Sequence, residues 1–128
     1  MNRKWHAAVV VSALLGLAVG PGQAPELHGV MREKLVHAQR LLEGVVTNDW
    51  VSLETHSGEL ERLTNDPSWM VLKLPDYARH SAAFVRAVQD LHRAAAQRDA
   101  EKAPQAYVAV TLQCVECHRY LARAKIAE

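Results

Sequence analysis

Residues 104–123 read PQAYVAVTLQCVECHRYLAR, and this stretch decides the fold. It holds both cysteines of the chain, Cys114 and Cys117, with His118 directly after them. Tyr107, Val110, Cys114, Cys117 and Leu121 recur at steps of three and four, the spacing of one face of a helix. The thiols therefore belong to the apolar stripe of a helix rather than to a loop. Pro104 fits the first turn, where its missing N–H leaves no helical bond unmade.

Three more helical segments precede this one. From Glu26 onward, Leu27, Met31, Leu35, Ala38, Leu42 and Val45 fall at helical spacing and predict a first amphipathic helix. Thr47, Asn48 and Asp49 end it and offer N-cap oxygens to a second helix, expected to bury Trp50, Leu53, Leu60 and Leu63. The stretch TNDPSWMVLKLPD is a connection with two prolines and room for a short turn around Trp69. A third helix starts near Pro75 or Asp76, with the stripe Tyr77, Ser81, Phe84, Val88, Leu91 and Ala95. No stretch alternates with period two over a useful length. The expected fold is all-α, an antiparallel four-helix bundle.

The remaining N-terminal part has a different character. MNRKWH is short and basic, Ala7 to Val19 is a thirteen-residue apolar run, and GPGQAP follows. This three-part layout reads as an export signal over residues 1–24. Cleavage near Gly22 or Ala24 would leave a domain over residues 25–128. An uncleaved anchor is the alternative reading, but a membrane span needs about 20 apolar residues. The full chain carries 15 basic and 14 acidic residues. Loss of Arg3 and Lys4 with the leader takes the formal charge from +1 to −1. So weak a charge gives no footprint for nucleic acid, and a membrane is expected only through the leader if it is retained. Export implies an oxidising, periplasmic setting, in which two thiols need an assigned use.

C-x-x-C-H is the spacing of c-type haem attachment. Residues three apart share a helix face, so both sulfurs can reach the two vinyl-derived carbons on one edge of a porphyrin. The next residue is rotated by about 100°, which lets His118 place a ring nitrogen over the iron. Two other readings of the cysteines stand beside this one. A thiol-redox pair needs its first Cys near a helix N-terminus, whereas Cys114 lies well inside the helix. A structural zinc site needs about four ligands, and no second cysteine pair exists.

Four helices, a leader and CVECH near the C-terminus resemble the cytochrome c-prime superfamily over Leu27 to about Arg123. The resemblance implies one covalently attached haem c inside the bundle, held on the last helix by Cys114 and Cys117 with His118 as the proximal iron ligand. Two features depart from the family. Its aromatic residue three after the haem histidine and basic residue four after are replaced by Leu121 and Ala122, with Tyr120 and Arg123 displaced by one. The link between the second and third helices is also short for the family.

In this family the first helix covers the far side of the haem. The resemblance places Met31 there, and a thioether is a soft ligand that suits haem iron and raises its potential. Met31 as mere core filling is the plain alternative. His28, three residues earlier, is the rival donor and would give bis-histidine ligation. Lys34, Arg119, Arg123 and Lys125 are candidate partners for haem propionates, or simply solvated charges. His37, His56, His80 and His92 read as surface or packing residues, and Met70 lies in the connection.

The expectation is an exported monohaem cytochrome that transfers electrons with a redox partner protein, its iron held by His118 and Met31. The alternative is an open site that binds or senses a small gas, nitric oxide or carbon monoxide. No acid–base pair or activated nucleophile stands out, so an enzyme is not expected, and a homodimer is compatible with the pattern.

Overall fold

The computed structural model describes residues 23–70 and 72–124. Nearly all of the expected leader, residues 1–22, lies outside the described residues, as does Lys125. Four α-helices follow one another: α1 (Gln23–Thr47), α2 (Trp50–Thr64), α3 (Pro75–Ala96) and α4 (Lys102–Arg123), with a 3-10 turn at Pro67–Met70 between α2 and α3. No strand occurs among the described residues. Each helix packs chiefly on the next in sequence, and α1 meets α4 along a thinner seam. The arrangement is consistent with a four-helix bundle.

Local chemistry sets the helix ends. α1 stops where Asn48 turns left-handed at φ 56°, a conformation asparagine tolerates better than most residues. The Asp49 N–H then donates back to the Gly44 carbonyl at 2.9 Å. The Asp49 side chain in turn caps α2, accepting from the Ser52 N–H at 3.0 Å. α3 opens with Pro75 in its first turn. At its far end Arg98 takes φ 51°, and the N–H groups of Arg98 and Asp99 close on the carbonyls of Ala95 and Ala94. The Asp99 carboxylate accepts from the backbone N–H and the ammonium of Lys102 and from the Glu101 N–H, which holds its pKa below the ordinary carboxylate range.

The core runs through Leu41 of α1, Leu53, Leu60 and Leu63 of α2, Phe84, Val88 and Leu91 of α3, and Val110 of α4. Burying one such side chain contributes about 1.5–3 kcal/mol. Gly44 lets α1 and α2 approach closely, because a Cβ there would stand 3.0 Å from the Leu53 side chain. Trp69 is buried at the end of this core, 5.6 Å from the Phe84 ring and 6.2 Å from that of Tyr77. The buried Tyr77 hydroxyl donates to the Trp69 carbonyl, which ties the connection onto α3.

The α3 stripe is buried as the periodicity predicts. The α1 stripe is not. Leu35 is 59% exposed and Leu42 49%, whereas Val30, Lys34 and Leu41 face inward. Apolar residues occur on more than one face of α1. The face that packs on α2 is the one carrying Leu41 and Gly44, and it brings Lys34 inward with it. Trp50, expected in the core, is half-buried.

Candidate functional site

A cleft of about 210 Å³ lies between α1 and α4. α4 supplies Val110, Gln113, Cys114, Cys117 and His118. α1 faces them with Met31, Lys34, Leu35 and Ala38, and Leu60, Trp69, His80 and Phe84 complete the walls. Further along the seam the Tyr107 hydroxyl donates to the Ala38 carbonyl at 3.2 Å, joining the two helices.

The three residues of the C-x-x-C-H motif thus meet in one place. Cys114 is half-buried, Cys117 is buried, and both are free thiols. Burial pushes the pKa of each above its ordinary value, with Lys34 pulling in the opposite direction. A redox-active thiol pair has the opposite shift, a lowered pKa. His118 is exposed at the cleft wall. Met31, half-buried, reaches the same cleft from α1. His28 is exposed on α1, with its Nε2 3.2 Å from the Arg32 guanidinium. Met70, Arg119 and Arg123 are exposed.

Lys34 was the residue least expected inside. It is only 7% exposed, and its Nζ has no hydrogen-bond partner. The amine lies 2.6 Å from the centroid of the Trp69 ring and 4.0 Å from that of Phe84. Desolvation lowers its pKa from 10.5 to about 6, against the charge influence of Cys114 and then Cys117. Its place one turn after Val30 and two turns before Leu41 was the available signal, but a lysine at that position reads as solvated. His80 is the other cleft residue that its residue type alone did not mark. It lines the wall and stacks on Tyr120 with centroids 5.2 Å apart.

The other histidines fall elsewhere. His37 and His56 pair across α1 and α2, one ring Nδ1 donating to the other at 2.9 Å. His92 Nδ1 meets the Ser57 hydroxyl at 2.9 Å. Among the described residues no group of three or more His, Cys, Asp and Glu side chains is set to hold a metal ion.

The fit to a haem rests on three observations. The cleft walls are mostly apolar, both thiols are on the face of α4 that borders it, and soft and imidazole donors face it from two helices. Its volume is smaller than a porphyrin. Seating one requires the thin α1–α4 seam to widen and the Lys34 amine to leave its place against Trp69 and Phe84. The seam is thinner than the α1–α2, α2–α3 and α3–α4 contacts, and lysine is long and flexible.

The chain matches no family model, no curated protein and no solved structure.

Proposed function

We propose that this chain is an exported, periplasmic c-type cytochrome of the cytochrome c-prime kind that transfers electrons. The observation that carries this is the gathering of Cys114, Cys117 and His118 on one wall of an apolar cleft, with Met31 across from them on α1. Cys114 and Cys117 would hold haem c by thioether bonds, each S–H adding across one vinyl group without need of an oxidant. The bound haem would supply a one-electron Fe(III)/Fe(II) couple. His118 would bind the iron through a ring nitrogen, and Met31 through its thioether, which favours the reduced state. The apolar walls built by Leu60, Phe84 and Val110 would keep water from the iron. The open edge of the cleft would bring the redox group near the surface, where a partner protein could reach it.

The test is an absorption spectrum of the purified, exported protein, oxidised and reduced, with and without carbon monoxide. A six-coordinate, low-spin haem that resists carbon monoxide supports electron transfer. A five-coordinate, high-spin haem that binds carbon monoxide selects the gas-binding alternative, and absence of haem rejects both.

A further inference from the structure

We propose that Lys34 is a second donor on the distal side of the haem, binding the iron through Nζ whenever the Met31 thioether does not. This rests on the haem reading above. Lys34 stands one helical turn from Met31 on α1, and both side chains border the cleft that holds Cys114, Cys117 and His118. Its amine is buried and makes no hydrogen bond. It rests on the Trp69 and Phe84 rings, but a buried polar group left without a hydrogen bond is costly, so this one calls for a use. The cleft-lining residues include no carboxylate to pair with it; the other polar groups there are Gln113, His80, His118 and the two thiols.

A salt bridge to the haem propionates does not supply that use. The propionates lie on the porphyrin edge opposite the vinyl groups, whereas Lys34 lines the cleft together with Cys114 and Cys117, which would hold the vinyl edge. Once a bound haem displaces the amine from the Trp69 and Phe84 rings, the metal is a partner of suitable chemistry. In the exchange, the iron–sulfur bond breaks and an iron–nitrogen bond forms with no change of oxidation state. Any proton on Nζ goes to solvent. The harder amine favours Fe(III) and the softer thioether Fe(II), so the two donors together would keep the iron six-coordinate in both states and closed to gases.

The experiment uses haem-loaded protein and reads spin state by electron paramagnetic resonance and absorption of the ferric form. Four variants are compared: Met31→Ala, Met31→Ala with Lys34→Leu, Met31→Ala with Lys34→Gln, and Met31→Ala with His28→Ala. Met31→Ala is expected to stay low-spin with nitrogen-donor signals, as is its combination with His28→Ala. Either Lys34 change should abolish the low-spin signal and admit carbon monoxide to the ferrous form. The glutamine variant keeps a polar chain of similar length in case leucine disturbs the fold, and far-ultraviolet circular dichroism checks the helices of both. A high-spin Met31→Ala protein with haem attached overturns this proposal alone, as does a low-spin state that survives loss of Lys34. A wild-type protein without thioether-bound haem overturns the haem reading and this proposal with it.

Discussion

Replacing Lys34 with Met should stabilise the haem-free chain, and the gain should depend on pH in a set way. The folded amine has its pKa lowered from 10.5 to about 6, so between those values the unfolded chain holds a proton that the folded chain does not. Stability therefore rises with pH across this window, by about 1.4 kcal/mol per unit. At pH 7 the penalty still to be relieved spans pH 7 to 10.5, or about 5 kcal/mol. Below pH 6 it reaches its full size of about 6 kcal/mol, and it vanishes above the unfolded value. Methionine has similar length and no group to desolvate, so it should remove the penalty while filling the same space against Trp69 and Phe84. Cys114 and Cys117, with raised pKa values, act with the opposite sign at alkaline pH, but they do so in both proteins. The assay is urea unfolding followed by circular dichroism from pH 6 to 10 in reducing buffer. The expected gap between variant and parent is widest at pH 6 and closes toward pH 10. Parallel pH profiles, or a less stable variant, would refute the claim that this amine is buried without a hydrogen-bond partner.

Other substitutions probe separate parts of the account. Met31→Ala in the haem-loaded protein should remove the spectroscopic signature of sulfur ligation and lower the reduction potential, read by redox titration. Tyr77→Phe leaves the Trp69 carbonyl without its buried donor and should cost about 1–3 kcal/mol in denaturant unfolding. Asp49→Ala removes the α2 cap on Ser52 and should cost about 0.5–2 kcal/mol in the same assay, with helix content nearly unchanged.

How much could be read in advance differs between helices, for physical reasons. Tyr77, Ser81, Phe84, Val88, Leu91 and Ala95 form an apolar stripe with few rivals on the other faces of α3, so periodicity alone selects the buried face. On α1 there are two candidate faces. Leu35, Leu42 and Val46 are as apolar as Val30 and Leu41, yet the first set is exposed and the second buried. The choice between them is made by the fit of α1 against α2 at Gly44 and Leu53, a contact between helices that no local pattern contains. The C-x-x-C-H group was legible because its geometry is local: one helix face brings the thiols together. The opposite wall was only partly so. Met31 was reached through a resemblance, whereas Trp69, His80, Phe84 and Lys34 join the cleft through the path of three other segments. Lys34 was hidden further by its charge, which ordinarily marks a solvated position.

The most direct test of the central claim is the fate of the pigment on denaturation. The exported protein is unfolded in acid acetone, and the polypeptide is then weighed by mass spectrometry. Covalent attachment at Cys114 and Cys117 predicts that the colour stays with the polypeptide and that its mass exceeds that of the mature chain by one haem, with both thiols unreactive. Colour extracted into the solvent, or an unmodified chain with two free thiols, would contradict it.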